Sequence, residues 1–269
     1  MKKLMFAAAL SASVFSGTVY GDVSSANIVG YTTVTLAEQW TILGVNFTGI
    51  GGEAMDINTA VPYVEGMTKG GSINTADQIQ IQNGKGGYTA YYMSNGLDAK
   101  DKPVAGLEGK WALNAKYTPA TDKIPSGTAF WYCRKEFSEP LTLTVAGEVS
   151  KLASSPKEIK ESWVHIANPY PTDLPLNDGI PFVEGMTKGG SINTADQIQI
   201  QNGKGGYTAY YMSNGLDAKD KPVAGLEGKW ALNAKYTPTT DKLPAGKGAW
   251  FARKGATDFT ITIQNPLNK

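Results

Sequence analysis

Between residues 77 and 93 the chain alternates almost without interruption. Gln78, Gln80 and Gln82 fall on one side of an extended chain and Ile79 and Ile81 on the other, the two-residue period of a half-buried strand. Asn83-Gly84-Lys85-Gly86-Gly87 follows, a run that tolerates the positive φ of a hairpin loop. Tyr88 to Met93 then reads as the return strand, with Tyr88 and Tyr92 on one face and Tyr91 on the other. Strand patterns recur at Ala129–Arg134, with aromatics at three consecutive positions, and at Leu141–Val145. Helical periodicity is scarce; after the N-terminal leader only Pro156 to Glu161 is expected to make a helical turn. Short strands roughly every ten residues, punctuated by Gly, Pro and Asn, predict an all-β fold of sandwich or barrel-like units.

The pattern occurs twice. Val64–Pro119 returns without a difference as Val183–Pro238. The match continues more loosely on both sides: Trp131 and Arg134 return as Trp250 and Arg253, and Trp40 to Asn46 pairs with Trp163 to Asn168. A repeat of this length is the size of a domain, so two tandem related β modules are expected. Their bounds are read as 22–150 and 151–269, joined through Ala146 to Glu161, after a leader at 1–21. A single pseudo-symmetric sandwich built from both copies is the competing arrangement.

The leader rests on Lys2 and Lys3, a short apolar core from Leu4 to Phe15, and small residues at Val19 and Gly21 before a cleavage point. It makes the chain a secreted or periplasmic protein, and no later segment is apolar enough over its length to span a bilayer. The charges balance, 25 Lys and Arg against 24 Asp and Glu, which argues against a nucleic-acid partner. One Cys and one His exclude an intramolecular disulfide and an ordinary zinc site. Cys133 reads as a small buried residue, since its counterpart is Ala252, and His165 as a core or edge residue.

Candidate chemistry is thin. Gly49-Ile50-Gly51-Gly52-Glu53-Ala54 fits a dinucleotide fingerprint as a bare pattern, but no convincing helix follows to hold a pyrophosphate, so a loop is expected. Asp98 and Asp101, with Asn95, lack the spacing of a calcium loop. No metal site and no cofactor is therefore expected. The aromatic residues carry more. Tyr88, Tyr91, Tyr92 and Trp111 beside Gln80, with their copies Tyr207, Tyr210, Tyr211, Trp230 and Gln199, make a polar-aromatic set suited to saccharide rings.

Three segments resemble those of two-copy secreted β-rich proteins of Gram-negative bacteria. They are the start Ser25-Ala26-Asn27-Ile28-Val29-Gly30-Tyr31, the run Trp163-Val164-His165-Ile166-Ala167-Asn168-Pro169-Tyr170-Pro171, and Leu243-Pro244-Ala245-Gly246-Lys247-Gly248-Ala249-Trp250-Phe251. The first copy departs from the pattern, with Asn46-Phe47-Thr48 where the second has Asn168-Pro169-Tyr170. The resemblance implies export and a β fold and carries over no catalytic residue. The expected function is a non-enzymatic envelope or extracellular protein whose duplicated modules bind a polysaccharide or surface glycan, or serve as scaffold. A polysaccharide hydrolase using a carboxylate pair and a self-assembling coat or matrix protein are the alternatives.

Overall fold

The computed structural model describes residues 28–114, 116–233 and 235–268; the leader read at 1–21 lies outside them. The first repeat contains β1 (Val29–Leu36), β2 (Trp40–Gly44), β3 (Met55–Asp56), β4 (Gln78–Gln82), β5 (Tyr88–Met93), β6 (Trp111–Leu113), β7 (Lys123–Ile124), β8 (Ala129–Cys133) and β9 (Leu141–Glu148). The second follows the same order. Its strands are β10 (Ser154–Ile159), β11 (Trp163–Ala167), β12 (Leu174–Pro175), β13 (Gln197–Gln201), β14 (Tyr207–Met212), β15 (Trp230–Leu232), β16 (Lys242–Leu243), β17 (Gly248–Ala252) and β18 (Phe259–Gln264). One α-helical turn stands in each, α1 (Ile57–Ala60) and α2 (Leu176–Gly179), and the first repeat adds a 3-10 turn at Ile50–Gly52. The carboxylate of Asp56 caps α1 by accepting from the amides of Asn58 and Thr59.

Each repeat builds a five-stranded antiparallel sheet, in the order β2-β8-β4-β5-β6 and β11-β17-β13-β14-β15. Its first strand pairs with its own last: β1 with β9, and β10 with β18. The sheets stay open, so neither repeat is a barrel. The alternation seen in the sequence fixes the faces. Ile79, Tyr91, Phe130 and Tyr132 point to one side, where Val34, Leu36, Leu141 and Leu143 of the β1–β9 ribbon cover them. The second repeat encloses a separate core around Ile198, Tyr210, Trp230, Phe251 and Ile261. Each copy encloses its own principal core, and a smaller cluster of Ile42, Ala129 and Ala167, with Trp131 and Trp250 packed against it, joins the two.

The charged run at 156–161 does not make a helical turn. Pro156 to Ile159 lies in β10, with Ile159 buried opposite Phe259 and Glu158 turned to solvent. Proline is tolerated there because β10 belongs to a two-stranded ribbon and its missing N–H costs no interior ladder bond. The join between the repeats thereby contracts to the residues between Glu148 and Ser154.

Candidate binding site between the two repeats

The outer faces of the two sheets meet. On β2 and β8 the outward positions are Trp40, Ile42, Ala129 and Trp131; on β11 and β17 they are Trp163, His165, Ala167 and Trp250. At one end small residues let the backbones approach. A Cβ on Gly44 would lie 2.6 Å from the Ala167 Cβ, and one on Gly248 would lie 2.6 Å from the Ile42 methyl, so glycine is required at both. At the other end four indoles form a continuous edge-to-face row. Trp40 meets Trp131 at 5.8 Å, Trp131 meets Trp250 at 6.1 Å, and Trp250 meets Trp163 at 5.8 Å between centroids.

Two glutamines lock this contact reciprocally. β2 and β11 are edge strands with unpaired backbone groups. The Gln201 side chain accepts from the Ile42 amide at 2.6 Å and donates to the Trp40 carbonyl at 2.8 Å. Gln82 does the same on the other edge, accepting from the His165 amide at 2.6 Å and donating to the Trp163 carbonyl at 3.1 Å. A side-chain amide thus replaces the peptide of a neighbouring strand. Glu38 and Glu161 extend the pairing by accepting from the hairpin amides of Gly205 and Gly86. Replacing either glutamine by alanine leaves an N–H and a carbonyl unpaired and is expected to cost about 1–3 kcal/mol. Denaturant titration of Gln82→Ala, Gln201→Ala and the double variant checks this. The double variant is also expected to associate with rising concentration, measured by sedimentation, because both edges are then open.

Beside each glutamine the repeats leave a groove. One, about 620 Å³, is bounded by Tyr88, Trp163 and Trp250, with Gln82, Lys85, Lys160, Glu161 and Arg253 among its polar groups. Trp163 is 44 % exposed and Tyr88 41 % exposed, whereas Trp111 and Trp230 are fully buried. Burial raises the Tyr88 hydroxyl pKa above the ordinary phenol value, against a hydrogen bond with Trp131 that lowers it. The phenol therefore enters the groove uncharged at neutral pH. A deeper cavity of about 350 Å³ adjoins it, lined by Gln82, Gly84, Lys157, Glu158, Lys160, Glu161 and Val164.

The residues expected from sequence to form one platform are separated by the sheet. Tyr91 and Trp111 face the core, as do Tyr210 and Trp230. Tyr92 shares the outer face with Tyr88 but lies under loops, packed with Ala76, Leu107 and Ala112, and Tyr211 repeats this. The physical reason is the strand period, which turns neighbouring tyrosines to opposite faces. Burial pushes the Tyr91 hydroxyl up to about 12, with Asp122 adding to the effect. Of each set only Tyr88 with Gln80, and Tyr207 with Gln199, remains on the outer face and partly open. The four indoles were not among the expected residues. Their signal is a strand apolar on both faces, at 40–44 and again at 129–133, which one buried side does not account for.

Asn95 and Asp98 are tied to the backbone. Asp98 accepts from the amides of Lys100 and Lys102, and Asn95 from that of Leu97. Asp77 is buried and accepts from the Tyr132 hydroxyl and the Lys135 amide; burial raises its pKa. In the glycine run at 49–54 the Gly51 amide is taken by the Glu148 carboxylate at 2.7 Å, occupying an anion position with a side chain. Among the described residues no helix is long and apolar enough to cross a membrane. Comparison of the chain with protein families, curated proteins and solved structures finds no match.

Proposed function

We propose that the chain is an exported, non-enzymatic binding protein whose inter-repeat groove takes up a saccharide chain. The observation that carries this reading is the exposure of Trp163 and Tyr88 at one open groove, which Trp250 also lines. Pyranose rings present apolar C–H faces that stack on such rings, and the Gln82 amide and the Lys and Glu side chains of the rim match hydroxyl groups. Export rests on the leader and on the resemblance of the three segments described above. The row of indoles serves the reading as well: it fixes Trp250 and Trp163 against Trp131 and Trp40, so the stacking surface is rigid before a ligand arrives.

Retention on immobilised polysaccharides followed by calorimetry with soluble oligomers tests this. Trp163→Ala and Tyr88→Ala are each expected to weaken binding about tenfold, the loss of one stacked ring. Tyr63→Ala, an exposed tyrosine outside the groove, is expected to leave it unchanged. Equal affinity of all three variants would sink the groove reading. Release of new reducing ends from the polymer would replace it with the hydrolase alternative.

A further inference from the structure

The cavity beside Gln82 has a counterpart beside Gln201. The second cavity, about 160 Å³, is lined by Gln201, Gly203, Thr35, Ala37, Glu38 and Thr41, the repeat equivalents of Gln82, Gly84, Glu158, Lys160, Glu161 and Val164. Each cavity also holds a lysine, and here the symmetry breaks. Lys157 stands at the repeat position occupied in the first copy by Val34, and Lys247 at the one occupied by Thr128. Neither lysine is a copy of the other, yet each brings an amine to the equivalent cavity.

Both lysines are half-buried. Burial holds Lys247 down at about 8 against the pull of Glu38, and it lowers Lys157 against the pull of Glu158. Lys247 Nζ donates to the Thr35 carbonyl at 3.3 Å. Among the described residues no carboxylate stands within ion-pair distance of either amine. Partial burial of an amine without an ion pair is unfavourable, and a carboxylate brought by a ligand offsets that cost through charge-assisted hydrogen bonds.

We propose that these two cavities are carboxylate subsites, so that the saccharide taken by the grooves is an acidic one built from uronic-acid units. The inference rests on the groove reading for its sugar ring and adds the charge. A uronate ring on Trp163 and Tyr88 has the adjoining cavity, lined by Lys157, beside it for its carboxylate, the two spaces sharing Gln82, Gly84, Lys160 and Glu161. Lys160 is already paired with Glu158 at 2.7 Å, which leaves Lys157 as the amine with charge to spare.

The full chain is titrated calorimetrically with oligogalacturonate, oligoalginate and hyaluronan oligomers, and with cello-, chito- and malto-oligosaccharides as neutral probes. Lys157→Val and Lys247→Thr are the informative variants, because each installs the residue the other repeat carries in that place. The acidic oligomers are expected to bind at least tenfold more tightly than the neutral ones. Each lysine variant is expected to weaken acidic binding about tenfold and to leave neutral binding unchanged. Equal affinity for acidic and neutral oligomers, or acidic binding indifferent to both lysines, overturns the carboxylate subsites. If Trp163→Ala still weakens binding about tenfold in that case, the groove reading survives alone. Acidic binding that depends on the lysines but not on Trp163 overturns the saccharide ring and leaves a site for a small carboxylate, for which sodium acetate is the competing probe.

Discussion

Trp111→Ala is expected to destabilise the first repeat by about 3–5 kcal/mol and to unfold it while the second repeat stays folded. The indole is fully buried, in edge-to-face contact with Tyr132 at 5.9 Å. Its Nε1 donates to the Val61 carbonyl at 2.6 Å, and its backbone amide donates to the Asn58 side chain at 2.8 Å. Alanine leaves a cavity and strips the Val61 carbonyl of its partner, a loss to which packing and hydrogen bonding both contribute. A domain holds about 5–15 kcal/mol in all, so the loss is a large share of it. Because the two cores are separate, calorimetry is expected to show a new low-temperature transition beside an almost unshifted one. Trp230→Ala, whose indole donates to the Ile180 carbonyl, is expected to give the mirror result. A single cooperative transition lowered as a whole would mean that the inter-repeat contact couples the two cores more strongly than each holds itself. A loss under about 1 kcal/mol would contradict the burial of the ring.

Much of the fold was legible because alternation is a local property. Gln78 to Gln82 announces its own faces, and Asn83 to Gly87 announces its turn, with Gly84 and Gly86 both at positive φ. The charged segment at 156–161 carries a local signal that points the other way: its Lys and Glu spacing suits a helical turn, whereas its pairing with β18 is non-local and carries no local mark. The candidate site depends on non-local contacts throughout. Tyr88 and Tyr92 share a face, yet only the ends of the strand differ in what lies above them, loops over Tyr92 and an open groove beside Tyr88. Which face of a sheet receives a second layer is decided by a partner distant in sequence. The contact between repeats is harder still, since the residues that close it, Gln82 and Gln201, belong to the identical block while the strands they cap belong to the diverged one. A strand with apolar residues on both faces is the one local trace such a contact leaves.

The diverged strands also place a titratable group where the first repeat has an aliphatic one. His165 occupies the position of Ile42, is 1 % exposed, and lies 4.0 Å from the Trp250 ring and 5.5 Å from that of Trp131. Neither ring nitrogen has a hydrogen-bond partner within the protein. Desolvation, with the nearby Lys157 charge adding to it, depresses its pKa to about 3 from an ordinary 6.5. Contact of a protonated imidazole with the indoles is worth about 1–2 kcal/mol, too little to reverse that depression. Between pH 6.5 and 3 the unfolded chain therefore binds a proton that the folded chain refuses. The neutral histidine's contribution is fully present above pH 6.5 and is lost as pH falls, about 2 kcal/mol by pH 5. Asp77 and Asp196, whose pKa values burial raises, bend the curve the opposite way in the acid range, favouring the fold as pH falls. They are common to both proteins when wild type is compared with His165→Ile, so the difference between the two stability curves isolates the imidazole. The expected result is a variant more stable than wild type at pH 5 by about 2 kcal/mol more than at pH 7.5, read from urea midpoints at the two pH values. Isoleucine is the residue the first repeat uses in this place beside the same tryptophans, so the substitution keeps the packing while it removes the charge. Parallel curves for the two proteins from pH 7.5 to 4 would mean that the imidazole takes up its proton in the folded state after all, and that the contact between the repeats opens to water as it does so.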